Sequence, residues 1–262
     1  MLAVCSLIKN RSWILPHFLE CLRRTTYPRA NTILLLLDDV STDGSLEIIG
    51  EFGRQHLRDY AAVRVIAGEG GYDNNTSSRD FHGDRHGGYR HLAALRNILL
   101  DNARALDVDL LFSVDSDILF PSDIVNALAR WQLPYVSSLV LNDNSAPFVK
   151  EHGSDYQHLR GRRVNFAPCD EHLQFQHRTD YPLNSLLQVG MSGACYLLDK
   201  RALESGARFG YHPFGEDAWY CLELRERGIP VYVDTTPRCV HVMERDQLDA
   251  ALARVEELTR CI

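Results

Sequence analysis

Two acidic residues, Asp115 and Asp117, flank Ser116 at the end of an apolar run over residues 110–114. Ligands of open α/β sheets bind beyond the carboxyl ends of the strands, so acids at the end of a predicted strand lie where chemistry is expected. Carboxylate oxygens suit Mg²⁺ or Mn²⁺ bound to a phosphate ester. The pattern predicts a divalent-metal site, and a solvated loop or helix cap is the structural alternative.

Two further segments carry side chains that suit the same site. Glu216 and Asp217 follow a glycine at the start of a helical pattern, and His241 ends a strand-like run. A neutral imidazole would complete an oxygen-rich ligand set, and Asp217 beside another acid is a candidate general base. Acids in a first helical turn are also favoured by the helix dipole, which requires no catalytic role.

The net charge of the 262 residues is -7 at neutral pH, which argues against a nucleic-acid-binding protein. A crevice lined by these acids, together with Asp38 and Asp39, would repel a diphosphate unless a cation lay between them. The acidic composition of the predicted site therefore implies a bound metal ion.

The chain has no apolar run near the ~20 residues needed to cross a bilayer, and no basic segment followed by a long apolar one begins it. Its seven cysteines are scattered singly, without a C-x-x-C pair, which indicates buried thiols in a reducing compartment. We therefore expect a cytoplasmic protein without a transmembrane segment.

Apolar residues alternate between strand and helix spacing along most of the chain. Strands are predicted at residues 2–8, 32–37, 63–67, 110–114, 135–141, 231–233 and 238–242, and helices at residues 13–24, 92–106, 123–131, 217–227 and 245–259. A further helix is predicted through Leu46 and Phe52, capped by Ser41 or Thr42. Residues 68–88 and 142–185 are polar, and we expect a functional loop and a substrate-facing segment there. The alternation predicts one α/β domain over residues 1–262.

Several short motifs, taken in order, resemble those of a GT-A fold glycosyltransferase of the family 2 type. They are residues 8–11, residues 38–43, Arg96-Asn97, Asp115-Ser116-Asp117, residues 190–194, Gly215-Glu216-Asp217 and His241. The resemblance implies a Rossmann-like three-layer sandwich with a mostly parallel central sheet and a smaller sheet on the acceptor side. It also implies a nucleotide-sugar-binding half over residues 1–117 and an acceptor-binding half over residues 118–262.

The same resemblance implies a role for each motif residue. Asp117, Asp115 and His241 would hold Mn²⁺ or Mg²⁺ on the donor diphosphate, and Asp217, beside Glu216, would be the catalytic base. The expected contacts with the donor nucleotide or its sugar are Ile8, Lys9, Asn10, Arg11, Asp38, Asp39, Arg96, Asp115, Ser116 and Gly193. For the basic residues of this set, a structural ion pair is the alternative.

The implied activity is the transfer of a single sugar from a nucleoside-diphosphate sugar, such as a UDP or GDP sugar, to a hydroxyl group. The acceptor would be a glycan, a lipid-linked sugar, a small molecule or a peptide. A carboxylate base predicts inversion, but residues 115–123 also resemble a group of retaining mannosyltransferases, so the stereochemical outcome stays open. A nucleotidyltransferase of related fold and an inactive sugar-nucleotide-binding or glycan-binding module are the alternative functions.

Seven histidines are not expected to form a second metal site, because no pair shows the helical spacing of a zinc enzyme with a glutamate between. They are His82, His86, His91, His152, His158, His172 and His177. Trp219 and Tyr220 are expected to pack their helix rather than to bind an acceptor.

Overall fold

The computed structural model describes residues 1–68, 85–140, 165–167 and 181–260. Its strands are β1 (Leu2–Ile8), β2 (Thr32–Asp38), β3 (Ala62–Ala67), β4 (Leu110–Val114), β5 (Ile118–Leu119), β6 (Tyr135–Leu139), β7 (Phe166–Ala167), β8 (Leu186–Val189), β9 (Met191–Ser192), β10 (Cys195–Asp199), β11 (Val231–Pro237) and β12 (Val240–His241). Its helices are α1 (Leu15–Arg24), α2 (Ser45–His56), α3 (Arg85–Ala105), α4 (Ile124–Ala129), α5 (Lys200–Leu203), α6 (Glu216–Glu226) and α7 (Leu248–Arg260).

The central sheet has eight strands in the order β3-β2-β1-β4-β10-β6-β11-β8. Strands β3, β2, β1 and β4 are mutually parallel, whereas β10 is antiparallel to both of its neighbours. Strand β11 is parallel to β6, and β8 at the edge is antiparallel to β11. The sheet is therefore mixed, with a parallel half that matches the expectation, and β5–β12 and β7–β9 form two small sheets beside it.

Helices cover both faces of the central sheet, which explains why β2 reads as an almost continuous apolar run. Leu35 is fully buried in one apolar cluster, which contains the side chains of α3 and α6. Its neighbour Leu34 points the other way, into a cluster that contains the side chains of α1, α2 and α4. The result is the predicted three-layer α/β sandwich.

The strand order places a topological switch point between β1 and β4. From β1 the chain proceeds outward to β2 and β3, and it then returns to place β4 on the other side of β1. In open α/β sheets such a point opens a crevice at the carboxyl ends of the two strands. Lys9 to Arg11 follow β1, and Asp115 to Asp117 follow β4, so both predicted motifs lie at this crevice.

Three sequence expectations need correction. Neither Ser41 nor Thr42 caps α2, because Gly44 precedes the helix and both residues instead bond to Asn10. Helix α3 begins at residue 85, about two turns before the predicted start, and the last helix begins at Leu248 after a short 3-10 turn. The predictions for residues 69–84, 141–164 and 168–180 lie outside the described residues.

The packing expectation holds for Tyr220 and for most of the described cysteines, whereas Trp219 packs only in part. Tyr220 is fully buried and stacks on Phe209, while Trp219 is half-exposed and lies against Gly210. Among the described cysteines, four are buried free thiols and Cys21 is partly buried. Within the described part of the chain, none of the helices has the length and apolar character needed to cross a membrane.

Candidate active site at the carboxyl ends of β1 and β4

Asp117 is the centre of a small charged cluster. One of its carboxylate oxygens accepts a hydrogen bond from the Arg11 guanidinium at 3.0 Å, and the other lies 3.5 Å from His241 Nε2. The three side chains come from the ends of β1, β4 and β12. The predicted meeting of Asp117 and His241, which are far apart in sequence, is therefore present in the fold.

His241 reaches this position through a short antiparallel pairing. Strand β12 pairs with β5, so that His241 lies opposite Ile118, and the Val242 amide donates to the Asp117 carbonyl at 2.8 Å. Val240 and Val242 anchor this two-stranded sheet, because they are buried with side chains of α7. The imidazole is thus held by backbone pairing next to the acidic turn after β4.

Charge interactions set the protonation of the pair. Burial alone would raise the pKa of Asp117, but His241 and Arg11 hold that pKa well below its usual range. Burial likewise opposes the charged form of His241, yet the adjacent Asp117 carboxylate raises the pKa of the imidazole. Asp117 is therefore ionised across the physiological pH range, as a metal ligand must be.

Arg96 is the second cationic centre of the site. Its guanidinium is buried and donates to Glu216 at 2.8 Å and to Asp115 at 3.0 Å, and it lies 3.7 Å from Asp217. Burial lowers the pKa of Arg96, but the three carboxylates more than compensate. The Arg96 guanidinium thus links Asp115, after β4, to Glu216 and Asp217 at the start of α6. Arg96 therefore forms the structural ion pair that was the alternative to a donor contact.

Asp217 lies on the backbone of the turn before β10. A Cβ added to Gly193 would come within 1.9 Å of Asp217 Oδ2, so only glycine allows the carboxylate to lie there. Burial, opposed by Arg96 and reinforced by Glu216 and Asp115, raises the pKa of Asp217 to about 8. Its Oδ1 is buried and has no hydrogen-bond partner among the described residues. A raised pKa and an unsatisfied oxygen are features expected of a general base.

Asp38 and Asp39 end β2, beside the residues that follow β1. The Asp38 side chain accepts a hydrogen bond from the Ser41 amide at 2.9 Å, and its other oxygen is buried without a partner among the described residues. Asp39 lies 3.8 Å from Lys9 Nζ and 3.0 Å from His91 Nε2. Lys9 also donates to the main-chain carbonyl of Asp39. These acids form a second polar group at the same edge of the sheet.

The loops after β1 and β2 are joined by reciprocal side-chain to backbone hydrogen bonds. The Asn10 amide donates to Ser41 Oγ at 2.9 Å, and the Thr42 amide donates to Asn10 Oδ1 at 2.8 Å. The Arg11 amide donates to Ser45 Oγ at 2.8 Å. Asn10 is thus a structural brace between the two loops, which fixes Arg11 toward Asp117.

Two of the predicted donor contacts are supporting residues in the structure. The side chain of Ile8 is fully buried in the apolar core, and its carbonyl accepts a hydrogen bond from the Asp39 amide at 2.8 Å. Ser116 is buried, and its hydroxyl donates to the Leu7 carbonyl at 2.8 Å. Ile8 thus helps to position Asp39, and Ser116 helps to position the two acids that flank it.

The donor set has the chemical character that Mg²⁺ and Mn²⁺ prefer, although it is small. Asp117 and His241 supply one carboxylate and one imidazole, while Asp115 is engaged with Arg96. Within the described ranges, no group of three or more His, Cys, Asp or Glu side chains has the arrangement of a metal site. Mg²⁺ commonly uses one or two protein ligands, with phosphate oxygens and water completing its coordination, so the residues fit an ion bound together with a diphosphate.

Two residues of this region escape detection from the sequence. His91, which was grouped with solvated loop histidines, lies on α3 and contacts Asp39. Asn165 is buried and uses its side-chain amide to donate to the carbonyls of Ser138 and Gly193, at 3.0 and 2.8 Å. The signals were absent because His91 precedes the apolar periodicity of its helix and Asn165 lies in an aperiodic polar segment. Of the other six histidines, the side chain of His86 and the whole of the remaining five lie outside what the structure describes.

A family model for the N-terminal domain of glycosyltransferase family 25 matches residues 1–157. A Drosophila melanogaster protein named glycosyltransferase 25 family member is 28% identical over 144 residues, which is 54% of this chain and 23% of that protein. Human procollagen galactosyltransferase 2 is 23% identical over 244 residues, 88% of this chain and 36% of that protein. A mouse protein named inactive glycosyltransferase 25 family member 3 is 30% identical over 137 residues, 51% of this chain and 23% of that protein. The chain therefore spans well under half the length of these relatives.

Solved glycosyltransferase structures share the fold at low sequence identity. Staphylococcus aureus TarS in complex with UDP-GlcNAc superposes with a TM-score of 0.53 at 14% identity, covering 91% of this chain and 57% of that one. The mannosyltransferase PcManGT from Pyrobaculum calidifontis, in complex with GDP-Man and Mn²⁺, gives a TM-score of 0.52 at 15% identity, covering 98% and 64%. The predicted GT-A fold is therefore confirmed.

Proposed function

The chain belongs to glycosyltransferase family 25, and from that premise we propose that it transfers one sugar from a nucleoside-diphosphate sugar to an acceptor hydroxyl with the help of a divalent metal ion. The observation that carries the proposal is the meeting of Asp117, His241 and Arg11 at the switch point between β1 and β4. Acidic and basic groups converge there from three strands, where a diphosphate would lie.

The charge balance of the site supports a requirement for a cation. Four carboxylates, those of Asp115, Asp117, Glu216 and Asp217, share the guanidinium groups of Arg11 and Arg96. A donor diphosphate would add further negative charge, which an ion pair network of this composition does not neutralise. In our proposal Asp117 and His241 hold Mn²⁺ or Mg²⁺, which when bound stabilises the charge that grows on the departing diphosphate.

The donor nucleoside would lie at the carboxyl end of β2. Asp39 and the buried Asp38 supply carboxylate oxygens that accept hydrogen bonds from base and ribose donors. Lys9, which contacts Asp39, would place a positive charge near the donor phosphates. This arrangement would make residues 1–117 the donor-binding half and residues 118–262 the acceptor-binding half, as the resemblance implies.

Asp217 is the proposed catalytic base of an inverting transfer. Its carboxylate would take the proton of the acceptor hydroxyl while that oxygen attacks the anomeric carbon, and the electron pair of the breaking bond would leave with the nucleoside diphosphate. The raised pKa of Asp217 favours the protonated carboxyl in the metal-free protein. Positive charge brought close to Asp217 would lower that pKa and favour the basic form.

Calorimetry tests donor binding. We expect one or more of UDP, GDP, CDP and dTDP to bind in the presence of Mn²⁺, and Asp117→Ala to remove the metal-dependent part of the affinity. Asp249→Ala, which removes an exposed acid of α7, is the matched control and should bind like the unmodified protein. A chain that binds none of the four nucleotides, with or without metal, is not a nucleotide-sugar transferase.

Activity requires a second experiment, since one mouse relative is named an inactive member of the family. Donor hydrolysis should be measured for UDP and GDP sugars, and Asp217→Asn should reduce it at least ~100-fold, as expected for loss of a general base. The same variant should keep nucleotide affinity within about threefold. Normal turnover by Asp217→Asn would refute the assignment of the base, and binding without any turnover would favour an inactive binding module.

A further inference from the structure

His91 lies outside every motif that the resemblance supplies, yet its Nε2 lies 3.0 Å from both carboxylate oxygens of Asp39. We infer that His91 is a positioning residue, which holds the Asp39 carboxylate in the orientation that reads the donor nucleoside. The inference rests on the proposed function and extends it to a residue of α3.

The geometry of the contact fixes its direction. His91 Nε2 lies 3.0 Å from Oδ1 and 3.0 Å from Oδ2 of Asp39. An ionised carboxylate has no proton to donate, so Nε2 carries the hydrogen and donates to both oxygens. Asp39 is only 5% exposed, and Lys9 Nζ is 3.8 Å from one oxygen. The Asp39 carboxylate is therefore restrained by two side chains, Lys9 from the loop after β1 and His91 from α3.

The contact leaves Asp39 able to bind a ligand. Each carboxylate oxygen has two lone-pair sites, and a shared hydrogen from His91 occupies part of this capacity. Asp38, next to it, has a buried Oδ1 without a partner among the described residues. Two adjacent acids with spare acceptor sites suit a ligand that presents N–H and O–H donors, which are the groups that a nucleoside carries.

Helix α3 is a rigid support for this role. Ala93 and Leu95, close to His91 in sequence, are buried in the same apolar cluster as side chains of β1 and β2. Arg96, five residues after His91, holds Asp115, Glu216 and Asp217. Five residues correspond to about 7.5 Å along a helix. Helix α3 therefore carries both the contact to Asp39, in the proposed nucleoside site, and the contacts to the acids around the proposed base.

The competing explanation is that His91 only fastens α3 to the end of β2. The two explanations differ in which ligand they affect. A fastening contact would alter the whole site, and it would change the binding of every ligand alike. A positioning contact would alter nucleoside recognition alone and leave the binding of pyrophosphate with Mn²⁺ unchanged, because pyrophosphate has no base or ribose.

The test is calorimetry on the full chain with His91→Leu, His91→Gln and the unmodified protein, each titrated with Mn²⁺ and UDP, GDP, CDP, dTDP or pyrophosphate. We expect His91→Leu to weaken the preferred nucleotide at least about tenfold, the effect of losing a hydrogen bond to a charged group. Pyrophosphate affinity should change less than about twofold. Gln retains an N–H donor, so His91→Gln should recover most of the loss.

His56→Leu is the matched control, because it removes another histidine contact with an aspartate, Asp59, at the exposed end of α2. It should leave all affinities unchanged. Equal losses of nucleotide and pyrophosphate in His91→Leu, or nucleotide binding like that of the unmodified protein, would overturn the inference. If the unmodified chain binds pyrophosphate and no nucleotide, the proposed function itself fails, and the role of His91 fails with it.

Discussion

Replacing Asp217 by asparagine should make the protein more stable at alkaline pH in the absence of metal. Burial, with smaller contributions from Glu216 and Asp115 and against the opposing effect of Arg96, raises the pKa of Asp217 from 3.8 to about 8 on folding. The folded protein therefore retains a proton that the unfolded chain has released. Between these two pKa values the free energy of unfolding falls by about 1.4 kcal/mol for each pH unit, and asparagine escapes this loss because it does not titrate.

The size of the effect follows from the interval between the pKa values. The three pH units from pH 5 to pH 8 correspond to a change of at most about 4 kcal/mol in the free energy of unfolding. Because the Asp217 side chain is 25% exposed, we expect a change of about 2–4 kcal/mol. The stability of Asp217→Asn relative to the unmodified protein should therefore rise by that amount over this range and level off above pH 8. For a chain of 262 residues, the difference in melting temperature should widen by roughly 4–7 °C.

Thermal and urea unfolding followed by circular dichroism, at pH values from 5 to 9 in EDTA, measures this difference directly. Comparing two proteins at each pH cancels the titration of groups that do not interact with Asp217. Asp249→Asn, a change of the same chemistry at an exposed position of α7, should show a difference that does not vary with pH. A constant or shrinking difference for Asp217→Asn would show that the pKa of Asp217 is not raised in the fold.

Two further substitutions test local geometry. Val40 has a φ of 51°, which is strained for a β-branched side chain. Val40→Asn should therefore raise the free energy of unfolding, measured by urea titration, by about 1 kcal/mol. The same change at the exposed strand residue Val65 is the control and should not stabilise the protein. Gly193→Ala should displace the Asp217 carboxylate and abolish donor hydrolysis. Gly50→Ala in α2 is the control, because the added carbon makes only ordinary contacts there, and it should leave hydrolysis intact. An active Gly193→Ala variant would contradict the placement of Asp217.

The elements that the sequence predicts best are those whose burial is dictated by neighbouring strands. Strand β1 is predicted to the residue, and β4 likewise, because strands covered on both faces need continuous apolar sequences and end where polar residues begin. Helix α3 is predicted too short, because its first turns contain Gly88 and His91 and lack apolar periodicity. Those turns are helical in the fold, and that error is the reason that His91 was assigned to a solvated loop.

The candidate site shows a different limit. Two acids separated by one residue look equivalent in the sequence, yet the turn after β4 directs Asp115 to Arg96 and Asp117 to Arg11 and His241. Which acid meets which cation depends on the pairing of β5 with β12 and on the position of α3. Neither is encoded by the spacing of the two acids.

This division of partners explains why chemically identical side chains have opposite properties. Arg11 and His241 both favour the charged form of Asp117 and lower its pKa, so a proposed metal ligand is deprotonated before any ion arrives. Burial raises the pKa of Asp217, and Arg96, which is shared with Asp115 and Glu216, does not offset that effect. A base works best when its pKa lies near the working pH. Since electrostatic energies vary with distances of a few ångströms, the pKa of the proposed base depends on the folded arrangement of Arg96 and not on the spacing of the acids in the sequence.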